Sequence, residues 1–580
     1  MNPFDVIHQP GAARLAVQQE QASPVPTVWK LTPMDIVCSL LPLLAFFLWS
    51  ISLQHEDVQR MNDLGMVSTF PPLLIFALGV LLVSFCLTVQ RATIREPLLL
   101  LHLVLLVVML FGVQNLVEEA PRFSVVYRHA GYTDYIMHHG SVNPNLDAYF
   151  SWPGFFVLGA FLTQVAGYHD IFPFAGWAPV FYNLLYMAPL YMIFTTLTTN
   201  KRLTWIALGL FFITNWIGQD YFSPQGFNFF LYLVIVAMVL RWFQPLRPRK
   251  LSPWFERLYG SSALVRTVYD NWLVAPASAS ADVRPVQWLA LLLTLLTIFS
   301  FVVFSHPLTP FFVLTGVTLL VVCNRCVPRW LPLLLAIMTG VWMVFMTSTF
   351  LEGHSSMVVG QVGQVSSAVV ANVTGRVQGD GEHTFIAAMR VVMTGAVWVL
   401  ALIGVVVRLR QGHRDLACLL LACAPFPLFI AQQYGGEMFL RIYLFSLPFM
   451  TFFCASLFSQ RITVQRPPRR LTLALLAITL FFFGGFLFTR YGNERMDYVT
   501  YNELAGVRQL YAIAPSHSLL LAAWNDTPWQ FQDYDKYTSY SLGEVLPDAV
   551  AANDVNALVR YIRMQPHSQA YVIITRGQEA

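Results

Sequence analysis

The chain reads as an α-helical polytopic membrane protein: about thirteen transmembrane helices, interfacial helices on the outer face, and a small extracytoplasmic α/β domain at the C-terminus. Three observations predict this class. Apolar runs of about 20 residues, the length that crosses a hydrocarbon core of roughly 30 Å, recur through the first 488 positions. Only 11% of the 580 residues are charged and mean hydropathy is +0.57, against roughly 25% charged in soluble domains. The basic residues fall in alternate connecting segments, as the positive-inside rule requires of a multispanning chain.

The runs lie at 33–53, 66–89, 98–116, 174–197, 203–221, 224–243, 286–305, 310–323, 331–350, 384–407, 416–431, 438–458 and 471–488. Residues 1–32 are polar, carry no signal-peptide pattern, and are expected to form a cytoplasmic tail. With that tail inside, the inner segments hold 22 of the 35 Lys and Arg, while the outer loops between spans hold only Arg60, Arg122, Arg128 and Arg376. Counting 152–169 as a further span would invert everything after it. That stretch is therefore read as an interfacial or re-entrant helix, with Ser151 as cap and Pro153 in the first turn. A second outer segment, 351–383, places Val358, Val362, Val365, Val369 and Val373 on one helical face. Residues 33–488 thus form the membrane domain, with 117–173 as its principal outer loop.

After the last run the pattern changes. Helices are predicted at 502–514 and 553–564, and strands at 518–523 and 570–575, which makes 489–580 a small α/β domain. Parity puts it outside. The seven cysteines lie in apolar runs or short basic turns, so no disulfide framework is expected in the polar loops. Cys323-Asn-Arg-Cys326 has no second pair and reads as a chance pair at a helix end.

The ionisable residues of the 117–173 loop carry the chemistry. Glu118 and Glu119 end the third run; adjacent carboxylates at a low-dielectric boundary repel each other, lose solvation, and gain affinity for a proton or a metal ion. Either could serve as a general base, with Asp134 as a third candidate carboxylate. His129, Asp134, His138, His139 and Asp147 follow at a spacing that permits metal ligation but matches no named zinc signature; hydrogen bonding that orders the loop is the plainer reading. Glu118, His129 and Asp134 are the candidate ligands, and a divalent cation is the one cofactor these residues admit. Arg122 and Arg128 lie in the loop, and Arg390 and Arg441 just inside the outer ends of their spans, where a buried guanidinium needs an anionic partner. Glu437 and Arg441 are spaced to pair along one helix face; a lipid phosphate is the alternative partner. The turn Asn215–Gln225 gathers Asp220, Tyr221, Ser223 and Gln225 between two spans, a polar density suited to closing over a site.

With Glu118-Glu119 opening a long outer loop, the entry Asp147-Ala-Tyr-Phe-Ser-Trp-Pro-Gly-Phe-Phe156 and the turn Asp220–Gln225, the chain resembles the GT-C superfamily of polytopic membrane glycosyltransferases, and in particular bacterial members. Those enzymes usually place the acidic loop after the first span; here it follows the third, and the first outer loop offers Glu56 and Asp57. The resemblance implies a bacterial plasma-membrane enzyme that moves a sugar from a polyprenyl-phosphate donor to a glycan, lipid or protein acceptor at the outer face. Glu118 or Glu119 would take the acceptor proton or bind a cation, and Arg441, Arg390 or Arg128 would stabilise the leaving phosphate. Substrate contacts are expected from Arg128, His129, Asp147, Asp220, Gln225, Arg390, Glu437 and Arg441. Such a donor needs no nucleotide, in line with the lack of a Gly-rich phosphate loop; no nucleic-acid partner is expected. The alternatives are a flippase or transporter of lipid-linked glycans, and a surface-polysaccharide polymerase or ligase. A transporter would favour inverted repeats and charges at the midplane, whereas Pro425 and Pro427 break one span without a matching partner and the charges cluster at the rim.

Overall fold

A computed structural model of the chain describes residues 33–55, 57–245, 260–262, 284–348, 381–431, 437–459, 467–552 and 554–576. Each of the thirteen apolar runs carries helix. Among the described residues, seven helices are long and apolar enough to cross a bilayer: Pro72–Val89, Ala178–Leu197, Pro224–Trp242, Pro285–Ser305, Gly381–Arg410, Met438–Ser456 and a stretch within Arg469–Ile513 whose apolar part is Arg469–Tyr491. The others are shorter for local reasons. Glu96–Phe111 ends at Gly112 and restarts as Val113–Val117. Lys201–Thr214 stops where Asn215 leaves helical geometry. Leu416–Cys423 and Leu428–Ala431 flank Pro425 and Pro427, which interrupt the helix between them.

Met438–Ser456 is the central helix. It packs against Lys201–Thr214 and Gly381–Arg410, and nearly every side chain along it is buried. The peripheral helices turn apolar stripes outward: Leu333, Ile337, Val341 and Val344 are exposed on Leu331–Phe345, at steps of one helical face. Exposed apolar stripes of this kind need a hydrocarbon solvent, so the chain is an integral membrane protein by the same logic as its seven long helices. Some polar groups inside the bundle close helix ends. Arg202 donates to the carbonyls of Val89 (3.0 Å) and Arg91 (2.7 Å), which closes the C-terminal end of the Pro72–Val89 helix.

The 152–169 stretch forms the helix Gly154–Ala166. Its cap differs from expectation: Pro153 holds the cap position without a side-chain bond, and Ser151 instead closes a short 3-10 turn, Ala148–Ser151, capped by Asp147. The valine face at 358–373 lies outside the described residues.

The C-terminal region is α/β, with a parallel sheet in the order β2–β1–β3: β1 is Ser518–Ala522, β2 Tyr537–Ser541 and β3 Ala570–Ile573. The helix Tyr501–Ile513 opens on a reciprocal cap between Thr500 and Glu503. β1 is buried throughout, as a central parallel strand must be. β2 was not among the predicted strands because Tyr-Thr-Ser-Tyr-Ser has no apolar run; it is an edge strand. The β1–β2 connection carries Phe531 and Tyr534 onto the polar helix Ser124–His139, where Phe531 meets Tyr127 and Phe172. Gly131 makes this approach possible, since a Cβ there would lie 1.7 Å from the Gln530 carbonyl oxygen.

Gly131→Val is therefore expected to destabilise the protein by about 1–3 kcal/mol, the usual cost of overpacking, and to expose the β1–β2 connection to proteolysis. Gly506→Ala, on an open helix face where the added Cβ meets nothing, should instead leave stability unchanged or raise it by about 0.5–1 kcal/mol. Thermal midpoints in detergent, with limited proteolysis, check both.

Candidate functional site: a cavity beside a buried charge network

The turn between Thr214 and Pro224 is held away from helical geometry by Gly218, whose φ of 69° suits glycine, and is closed by Ser223, whose hydroxyl accepts from the Gly226 amide. It presents Trp216, Ile217, Gln219 and Tyr221 to a cavity of about 610 Å³. Val391, Thr394, Gly395 and Trp398, one face of Gly381–Arg410, form a second wall, and Leu440 and Tyr443 a third. Arg122, Arg390, Arg490, Glu437 and Asp497 supply its charged groups. The Arg390 guanidinium donates to the Thr489 carbonyl (3.2 Å) and lies over the Trp216 ring.

Behind the cavity these residues join a buried network. Arg490 donates to Asp220 at 2.7 Å, with both side chains at most 5% exposed. Asp220 also accepts from Asn183 (2.6 Å), which in turn accepts from Asn215 (3.1 Å). Arg122 pairs with Glu494 (2.8 Å) and Asp497 (3.0 Å) and covers the Phe123 ring at 4.0 Å. Gln114 donates to Glu494 and accepts from Arg490. Phe123 itself has φ 69°, an unusual value for a phenylalanine, and its amide is tied to the Asp497 carbonyl at 3.0 Å. Burial pushes the Asp497 carboxyl up to about 6 against the pull of Arg122. Burial, with Glu494 beside it, raises Glu118 well above the carboxylate range.

The predicted site residues separate into three groups. Asp220, Arg390 and Glu437 reach the cavity or its network, and Glu437 pairs with Arg441 at 2.8 Å as the spacing implied. Arg441 also donates to Gln225 (3.4 Å). Glu118 sits behind Arg122, away from the cavity wall, while Glu119 accepts from the Tyr501 amide (2.7 Å) in the first turn of Tyr501–Ile513. Arg128, Asp147 and Tyr534 form a hydrogen-bonded cluster that docks that region: Arg128 meets Asp147 at 2.7 Å and the Tyr534 hydroxyl donates to Asp147 at 2.7 Å. Burial opposes ionisation of Asp147, yet Arg128 and these bonds hold its carboxyl below the usual range.

The candidate metal ligands are not brought together. Among the described residues no group of three or more His, Cys, Asp or Glu is placed to hold a metal ion. His129 Nδ1 meets the Phe222 carbonyl at 2.8 Å amid aromatic rings, and burial lowers the ring to about 4. Asp134 pairs with His138 at 3.2 Å. Sequence reasoning missed Gln114, Arg490, Glu494 and Asp497. The available signal was Arg490, a guanidinium just past an apolar run, followed by Glu494 and Asp497 at helical spacing.

No family model matches the chain, and no curated protein is significantly similar to it.

Removing one partner of a buried pair strands the other. Arg490→Met is expected to cost about 3–5 kcal/mol by leaving Asp220 uncompensated, and the double variant Arg490→Met/Asp220→Leu to recover most of that loss. A double-mutant cycle on thermal stability measures the coupling.

Proposed function

We propose that the protein is a membrane glycosyltransferase that moves a sugar from a polyprenyl-phosphate donor to a glycan, lipid or protein acceptor at the outer face of a bacterial plasma membrane. The observation that carries this reading is the make-up of the 610 Å³ cavity: guanidinium groups together with an apolar helical stripe. Arg390, with Arg122 and Arg490 behind it, suits a phosphate, where negative charge grows as the sugar leaves. Val391, Gly395 and Trp398 suit the isoprenoid chain, on a helix whose other faces expose Val392, Val399 and Leu402. The volume falls within the usual range of small-molecule sites, roughly 300–1,000 Å³.

The base role that the sequence offered to Glu118 or Glu119 passes to Asp497. It lines the cavity, a quarter of its side chain is exposed, and burial raises its carboxyl to about 6. A base of that strength is largely ionised at neutral pH and still accepts a proton from an acceptor hydroxyl. The balance of Lys and Arg between alternate segments supports a cytoplasmic N-terminus and an extracytoplasmic C-terminal domain.

The test uses purified protein in nanodiscs, supplied with radiolabelled polyprenyl-phosphate sugars, and follows release of polyprenyl phosphate. Wild type is expected to release it. Asp497→Asn should slow release by about 10²–10⁴ while donor still binds. Arg390→Ala should weaken donor binding by roughly tenfold to a hundredfold, and Glu119→Gln should leave turnover intact. Transbilayer movement of an intact donor without release would replace the transferase with a flippase.

A further inference from the structure

A small void of about 20 Å³, room for one water, lies beside the main cavity and shares Arg122 and Tyr221 with its lining. Gln114, Asn115 and Glu118 form its polar wall. Glu118 is only partly buried as a residue, but its Oε1 is sealed from solvent and has no hydrogen-bond partner; Arg122 Nη1 is likewise buried and unpartnered, on a side chain 8% exposed. The Glu118 carboxyl contacts that of Glu494. Glu494 is fully buried: it accepts from Gln114 on Oε2, while its Oε1 lies 2.8 Å from Arg122 Nε as an ion pair and has no hydrogen-bond partner.

We propose that Glu118 is a resident proton site: at neutral pH its carboxyl is uncharged, donates its hydrogen to Glu494, and accepts from one water that bridges it to Arg122. The charge count favours such a proton: four carboxyls, Glu118, Glu494, Asp497 and Asp220, face three guanidiniums, Arg122 and Arg490 inside the network and Arg390 acting on Asp497. An ionised Glu118 would set two like charges in contact away from water, which is where one member of a carboxyl pair keeps its proton. The charged and titratable groups around Glu118 are Glu494, Asp497 and Arg122, with Tyr127 and Tyr498 further off, and only Arg122 opposes the proton. The proposal stands apart from the transferase reading, and its test is spectroscopic.

Infrared spectra of the full-length protein in nanodiscs at neutral pH should show the carbonyl stretch of a protonated, buried carboxylic acid. Glu118→Gln should lose that band and Glu119→Gln keep it. Absence of the band from wild type, or its persistence in Glu118→Gln, overturns the proposal. Should Glu118→Gln fail to fold, Glu494→Gln decides: a shifted band supports the assignment and an unmoved one sinks it. Stability gives a second readout. A carboxyl raised above its unfolded value, roughly 4.3, contributes stability that is complete below that value and lost as pH rises through the folded pKa. The wild-type thermal midpoint should therefore fall toward alkaline pH more steeply than that of Glu118→Gln; parallel profiles count against the proposal.

Discussion

Charge held away from water must be paired, and in this protein that constraint fixes the geometry of one end of the helical bundle. Arg490 reaches back 270 positions to Asp220, and Arg122 reaches forward to Glu494 and Asp497. Three segments that the chain places far apart are thereby locked together: the end of Val113–Val117 with its following loop, the turn after Thr214, and the residues after Tyr491. None of them is apolar enough to be held by packing alone. The pairs are almost sealed, so a misplacement that broke one would strand a charge at a cost comparable to a large share of a domain's net stability. The cavity exists because these backbones are pinned apart at its rim while Gly381–Arg410 and Met438–Ser456 close its sides.

The legibility of the sequence follows from the range of each interaction. Apolar run length is local, so every predicted run carries helix, and the fused prediction 98–116 differs only because Gly112 restarts the helix. The Glu437–Arg441 pair is also local, and its spacing predicted the 2.8 Å contact. The strand β1 was visible because a buried parallel strand is apolar on both faces, whereas β2 pairs through its backbone and leaves little trace in its side chains. The site was legible only in part. Glu118 and Glu119 stood out as neighbours, yet neighbours on a helical end point about 100° apart, and the chain gives them unrelated work: one beside Glu494, the other on the Tyr501 amide. Their separation depends on residues some 380 positions away, which no local pattern encodes.

The same reasoning explains why part of the polar loop packs against the C-terminal region. Arg128, Asp147, Tyr132 and Tyr534 share hydrogen bonds, and Gly131 admits the Gln530 backbone. A helix that carries a folded α/β region on one side and the membrane domain on the other needs tyrosine, histidine and arginine, since such side chains combine apolar area with a polar end. Ionisable density near a membrane surface thus signals either catalysis or docking, and composition does not separate them. What separates them is the partner. Asp147 is satisfied by Arg128 and Tyr534, while Asp497 keeps part of its carboxyl on a cavity.

That contrast also bears on how the cavity would bind an anion. Arg122 and Arg490 are each neutralised by carboxylates inside the network, so a ligand phosphate meets their residual field and not two bare charges. Arg390 donates to the Thr489 carbonyl and lies over the face of Trp216, and its charge also bears on Asp497. An anion arriving there would add a charge-assisted pair to the Arg390 guanidinium. The network behind it then acts as a fixed support. The net charge at the rim depends on how many of the four carboxyls carry a proton. Binding of any anion in the cavity and the protonation of the buried carboxyls would therefore be linked, because both draw on the field of the same guanidiniums.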